Sequence, residues 1–371
     1  MAPVVLYSKD YIPTLDGLRA IAITMVISSH AITSSQFARW ANGYAGVLIF
    51  FSLSGYLITT HLIREFAVSG RISLKDFYAR RFFRILPPVL LYLVILGMLA
   101  AIGKVPFDSQ SLRAALFFYA NYADHSWVIG HFWSLAVEEH FYLLWPVLLI
   151  VFSVRNGWRT AVAFAFLVCA LRLAVVHLHL LGNVFQDAAH GNFHSDLVFD
   201  TLLWGCCLGF YLYRRRIRPV NSTISTVISL VAALMLLAPG SLGLTQTTLL
   251  THLLPTILVG SIVMAPGAPI GRFLELRSLR FVGKLSYSLY IWQQLFFSGP
   301  GPHIAIPFAL TAVIICALLS YKLIEVPAIR LGRRLIRGRE NPFLGVPLGL
   351  SLPAVNSARD LIQPASEPTE P

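Results

Sequence analysis

Charge is what this chain lacks most. Asp, Glu, Lys and Arg make up 12% of its 371 residues, hydrophobic types 56%, and the mean hydropathy is +0.70. Soluble domains carry about 25% charged and about 45–50% apolar residues, so this balance excludes an ordinary soluble protein. Cysteine is scarce as well: Cys169, Cys206, Cys207 and Cys316 all lie inside apolar runs. They form neither a polar-loop pair nor a ligand spacing, which argues against disulfides and zinc and leaves them as small packed hydrophobes. No apolar segment with a small-residue cleavage site opens the chain, so no removed signal peptide is expected and insertion begins with the first helix. No hydrophilic block separates the apolar runs between residues 18 and 324, which implies a single membrane domain over residues 1–335. The two halves show no internal repeat, which counts against an inverted-repeat transporter. No serine or cysteine sits in a strand-turn-helix motif, which counts against a hydrolase-type nucleophile.

What is present is a series of apolar runs near the length of about 20 residues needed to cross a bilayer. They fall at 18–37, 44–62, 85–103, 132–153, 160–180, 197–213, 222–239, 246–265, 281–298 and 303–324. The expected fold is therefore all-α, a polytopic membrane protein with about ten transmembrane helices. With the N-terminus inside, 25 of the 29 basic residues lie on the inner side, leaving Arg39, Lys104, Arg113 and Arg172 outside. By the positive-inside rule both termini are cytoplasmic. The net charge of +12 is then a matter of topology and an anionic inner leaflet, and no nucleic-acid partner is required. Residues 336–371 are expected to be a disordered cytoplasmic tail; six of the 21 prolines fall within 341–371.

Within the first run, LDGLRAIAITMVISSHAI, Arg19 and His30 are eleven residues apart. On a helix that spacing puts them about 20° apart in azimuth and about 16 Å apart in depth, a cation near one boundary and an imidazole deeper in. Ser52, Ser54 and Gly55 leave a narrow surface on the second run, suited to close helix packing. Arg80, Arg81 and Arg84 stand at the mouth of the third, and Arg81 and Arg84 share one helical face that offers planar forks to phosphate. Pro87 and Pro88 just beyond predict a rigid bend rather than a smooth helix. The fourth run holds Glu138 and Glu139, pointing about 100° apart. A mid-helix carboxylate costs about 2.5–3.5 kcal/mol on insertion scales, so each needs a partner or a task. Arg19, Arg172 and a protonated His30 are the candidate partners. Asp200 in the sixth run must likewise be paired or face an aqueous cavity. His177, His179, His190 and His194, with Asp187 and Asp196, match no compact metal-ligand spacing, so no metal is expected and acceptor binding is the better use for them.

The stretches IPTLDGLRAIAITMVISSH, IFFSLSGYLITTHLIRE, DFYARRFFRILPPVL, HFWSLAVEEHFYLLWP, LRFVGKLSYSLYIWQ and YKLIEVPAIRLGRRL occur in this order. Together they resemble the acyltransferase family 3 integral membrane proteins. The resemblance implies transfer of an acyl group, usually acetyl, from cytoplasmic acyl-CoA to a hydroxyl of a cell-surface carbohydrate or glycoconjugate, at a bacterial cell membrane. By this resemblance His30, Glu138, Glu139 and Arg19 carry catalysis, and Arg81 and Arg84 hold the CoA phosphates. Asp16, Ser54 and Asp200 are substrate-contacting candidates. The chain departs from the pattern at Val198, where many members have arginine, and at Gln293, where many have histidine. No bound cofactor is implied; acyl-CoA is the donor substrate. His30, with an ordinary pKa of about 6.5, is placed to act as general base, a glutamate to orient it, and Arg19 to guide the donor or polarise the thioester. An acyl-histidine intermediate is the alternative chemistry. A small-molecule acceptor such as an antibiotic or lipid is the alternative substrate. A carrier or flippase, or a non-catalytic scaffold, is the alternative class.

Overall fold

The structure is a computed structural model that describes residues 11–31, 42–178, 194–214, 220–237, 249–297 and 305–337. The described residues are helical, with no strand among them. The helices are α1 (Pro13–Ala31), α2 (Gly43–Ser69), α3 (Leu74–Ala101), α4 (Ser109–Leu116), α5 (Phe132–Val151), α6 (Gly157–Leu178) and α7 (Ser195–Arg214). They continue as α8 (Ser222–Leu237), α9 (Leu249–Met264), α10 (Pro269–Leu274), α11 (Arg277–Phe296), α12 (Ile306–Ser320) and α13 (Val326–Arg337). The described part of each of the ten apolar runs overlaps one of these helices. Among the described residues, six segments are long and apolar enough to cross a membrane: α2, α3, α5 with its preceding turn, α6, α7 and the α12–α13 rod. α8 and α9 are apolar but only 16 residues long. α1 and α11 carry charged side chains that dilute their apolarity. The expected tail lies outside the described residues.

The bundle is apolar outside, and its largely apolar core encloses several buried polar and charged side chains. Val94 and Met98, Leu143 and Val147, Phe166 and Leu167, and Val227, Val231 and Leu234 are exposed on α3, α5, α6 and α8. Arg172, Asp200, His252, Gln293 and Glu325 are buried. A soluble protein of this size would not leave such a continuous apolar surface in water, whereas lipid tails would cover it.

Close approach between helices depends on glycine. A Cβ on Gly55 of α2 would run into the Leu202 carbonyl of α7, and one on Gly205 of α7 into the Ser52 carbonyl of α2. A Cβ on Gly283 of α11 would strike the Asp16 carbonyl of α1. Ser52 closes the same α2 surface by bonding Thr256 at 2.9 Å, while Ser54 turns away towards α5. Gly55→Ala should therefore destabilise the bundle by about 1–3 kcal/mol through overpacking. Gly97→Ala is the control, because nothing lies within 4 Å of its would-be Cβ, and alanine there favours the helix. Thermal unfolding in detergent reads the difference; a Gly55→Ala variant that melts with wild type overturns the packing account.

The third helix differs from its sequence-based expectation. It begins at Leu74, capped by Ser73, whose hydroxyl accepts the Asp76 amide at 3.3 Å, and it runs through Pro87 and Pro88. The predicted start at residue 85 is too late because apolarity marks the membrane core, not the helix. Two prolines cannot donate to the preceding turn, and in that turn the Ile85 carbonyl accepts the Tyr287 hydroxyl from α11 at 2.8 Å. Arg80, Arg81 and Arg84 thus ride on a rigid helix rather than a loop.

Candidate active site

Six segments converge on one polar layer. Glu138, in the second turn of α5, accepts the Ser54 hydroxyl of α2 at 2.7 Å, and Tyr142 donates to Ser54 at 3.2 Å. One turn separates Glu138 from Tyr142, so both face α2. Arg81 stacks its guanidinium over the Tyr142 ring at 4.7 Å and lies within electrostatic reach of both Glu138 and Glu139. Arg84 reaches Glu138, Arg19 and Glu325 in the same sense. Glu325 is buried at a π-helical turn, Tyr321–Glu325, and accepts the Ser288 hydroxyl of α11 at 2.8 Å. Pro327, two residues on, has no N–H to close an α turn, and a widened turn of this kind re-aims side chains inward. Arg19 pairs with Asp16 at 3.0 Å, and Tyr11 also donates to that carboxylate.

A second polar layer lies about two to three turns away. His30, at the last turn of α1, meets Trp127 edge to face at 6.1 Å and is the electrostatic neighbour of His131. Arg19, eleven residues back along α1, is the neighbour of Tyr142, eleven residues forward from His131 along α5. α1 and α5 therefore run antiparallel with matched steps, and the cationic and imidazole layers are about 16 Å apart by helical rise. His30 Nδ1 faces the Val26 carbonyl at 3.0 Å. A carbonyl only accepts, so Nδ1 carries the proton and Nε2 the lone pair.

Several expected partnerships resolve differently. The glutamates were expected to pair with Arg19, Arg172 or His30, and one of them to orient the imidazole. Instead Glu138 is held by Ser54, with Arg81 and Arg84 as its cations, and His30 is oriented by its own helix. Arg172 is taken elsewhere. It forms a bidentate pair with Asp200 at 2.9 Å through both guanidinium nitrogens, and donates to the Leu197 carbonyl at 2.8 Å. His252 Nδ1 lies 2.9 Å from Asp200 and 2.8 Å from the Thr201 hydroxyl. Asp200 is fully buried with both oxygens engaged, so its geometry is that of a brace between α6, α7 and α9. The cation for Asp200 comes from Arg172 on α6, while Val198, two residues before the aspartate, is a buried apolar side chain. Gln293 is buried and donates to Gln294 at 3.2 Å. His179, Asp187 and His190 lie outside the described residues, and of His177 only the backbone is placed. His194 meets the Tyr122 ring at 4.5 Å in a tilted arrangement, and Asp196 accepts the Tyr122 hydroxyl at 3.0 Å.

Tyr142, Tyr287, Ser288 and Glu325 were not singled out by the sequence reading. Tyr142 repeats the Glu138 face one turn later, which was legible; Glu325 depends on a π turn, which was not.

A helical bundle with an apolar exterior and an internal layer of arginines and carboxylates defines a multi-pass integral membrane protein with a charged site between its helices. The chain belongs to acyltransferase family 3: the profile of this family, an acyltransferase domain, matches residues 12–322. It is similar to the peptidoglycan O-acetyltransferase OatA of Listeria monocytogenes, 29% identical over 368 residues, 86% of this chain and 56% of that protein. The O-acetyltransferase OatA of Staphylococcus aureus is 30% identical over 360 residues, 87% of this chain and 58% of that protein. A putative O-acetyltransferase of S. aureus is 30% identical over 357 residues, 85% of this chain and 57% of that protein. The chain thus spans between 56% and 58% of the length of these relatives. No solved structure matches it.

Proposed function

We propose that this protein transfers an acyl group, acetyl in the usual form, from cytoplasmic acyl-CoA to a hydroxyl of a cell-surface carbohydrate or glycoconjugate. The observation that carries this reading is the stack of two layers on α1 and α5, cations at one depth and a base at the other. CoA carries its phosphates and its thioester at opposite ends of one long arm, which suits such a site. In this reading the ten apolar helices all span the bacterial cell membrane, both termini are cytoplasmic, and the arginine layer faces the CoA pool. The activities named for the relatives, O-acetylation and for one of them peptidoglycan O-acetylation, support the acceptor class.

Arg81 and Arg84 hold the phosphates, with the Tyr142 ring and Glu138 keeping Arg81 in place. The thioester reaches past Arg19 and Ser54 towards His30. Nε2 of His30 takes the acceptor hydroxyl's proton as its oxygen attacks the thioester carbonyl; the C–S bond then breaks and CoA leaves as the thiol after reprotonation. Glu138 and Glu139 balance the cationic layer, and Arg19, steered by Asp16, stabilises charge on the carbonyl oxygen. Acyl-CoA enters as substrate, and transfer from a thioester needs no metal.

Loss of charge-assisted hydrogen bonds costs about 1.5–3 kcal/mol each. The double variant Arg81→Ala with Arg84→Ala should therefore weaken acyl-CoA binding by at least about tenfold, measured by calorimetry on the purified full chain. Unchanged affinity returns both arginines to a topological role. Mass spectrometry of surface glycans and extracted lipids from a deletion strain and its parent should show loss of acyl groups from glycan. Loss from lipid alone moves the acceptor to the small-molecule class, and substrate movement without consumption of acyl-CoA replaces the enzyme with a carrier.

A further inference from the structure

The face of α5 turned away from Glu138 carries a second cluster that the acyl-CoA path does not use. His140 is two residues beyond Glu138 in the chain, which is about 200° around the helix. Its Nδ1 lies 2.7 Å from Ser195 Oγ, on the first residue of α7, and Asn121 Nδ2 donates to the same oxygen at 3.0 Å. With one hydrogen arriving from Asn121, the serine keeps its own proton to give to Nδ1. The Phe118 carbonyl is an acceptor beside the same imidazole. Phe118 has φ 52°, a left-handed conformation that a bulky residue rarely adopts and that the surrounding structure must hold in place. A serine within hydrogen-bond reach of an imidazole, with a third group engaging the serine oxygen, supplies the parts of an activated nucleophile.

The surroundings indicate what such a nucleophile would meet. Ser195 and His140 open on a pocket of about 490 Å3 whose walls include Leu144, Leu167, Leu171 and Phe199. Leu144 and Leu167 are exposed on the apolar exterior of the bundle, so the pocket opens sideways to where lipid tails lie. The start of α7 places the positive end of its helix dipole at Ser195, favourable to a developing oxyanion. The sequence carries no nucleophile elbow; the bundle assembles this pair from three segments far apart in the chain.

We propose that Ser195 and His140 form a second acyl site, a serine nucleophile that takes the acyl group of a carboxylic ester bearing an alkyl chain. Ser195 Oγ attacks the ester carbonyl as its proton passes to His140 Nδ1. The ester C–O bond breaks, and the leaving alkoxide takes that proton and departs as the alcohol, leaving an O-acyl serine. A water or second hydroxyl then attacks the acyl carbonyl, its proton passing through His140 Nδ1 to Ser195 Oγ as that C–O bond breaks, which releases a carboxylic acid or a new ester and restores the serine. This site stands independently of the His30 path.

The test is labelling of the purified full chain with an alkyl fluorophosphonate, read by fluorescence and intact mass. Wild type is expected to be labelled, Ser195→Ala not at all, and His140→Gln at least tenfold more slowly. Ser195→Cys retains a hydrogen-bonding group next to His140 and should become reactive to iodoacetamide, protecting the test against a misfolded alanine variant. His30→Ala should label like wild type, which separates this proposal from the acyl-CoA reading. An unlabelled wild type, or labelling undiminished in Ser195→Ala, overturns it.

Discussion

Replacing His30 with alanine is expected to leave the protein folded and to lower acyl transfer by about 10²–10⁴-fold, the range that a positioned general base supplies. The residue sits at the last turn of α1, and its Nδ1 bond goes to the Val26 carbonyl of the same helix. Alanine is a strong helix former, so truncation there should cost the fold little. What disappears is the Nε2 lone pair of an imidazole whose ring meets Trp127 and neighbours His131. His30→Gln, polar but without a base of the right strength, should be as inactive as the alanine variant. Acetyl transfer from acetyl-CoA by the full chain in vesicles measures the effect, with acetyl-CoA affinity as the control that should not change. A wild-type rate in His30→Ala removes the imidazole from the chemistry.

Breaking the Arg172–Asp200 pair is expected to produce the largest loss of stability in the molecule. Both side chains are almost wholly buried, and two parallel 2.9 Å bonds join them. Removing one partner strands the other charge in a low-dielectric interior, which costs about 3–5 kcal/mol. Arg172→Leu should be as damaging as Asp200→Leu, since Arg172 also satisfies the Leu197 carbonyl and Asp200 also faces His252. The double variant removes both charges and should be less unstable than the sum of the single ones. Thermal unfolding in detergent reads all three. Single variants that melt with wild type would mean that water or another charge compensates this pair.

These two predictions differ in how much of them the sequence foreshadowed. Arg19 and His30 lie on one helix, so the angle and depth between them follow from helical geometry alone. The π turn that swings Glu325 towards Ser288, and the two-proline turn bonded by Tyr287, depend on which helix packs where. Ser54 illustrates the boundary. The sequence shows a small residue on a packing surface, but that Ser52 meets Thr256 while Ser54 meets Glu138 depends on the azimuths of three helices. Ser195 and His140 carry no recognisable local signal, because their pairing joins α7 to α5.

By itself, then, the sequence determined the class: an apolar, all-helical chain of acyltransferase family 3 type, with cations and an imidazole at separate depths. Those features are local, since hydrophobic runs and periodicity depend on neighbours a few residues apart. Only the tertiary structure decided which charges neutralise one another. It assigned Arg172 to Asp200, and Arg81 and Arg84 to Glu138, because a buried charge takes whatever partner the packing of separate helices brings within reach.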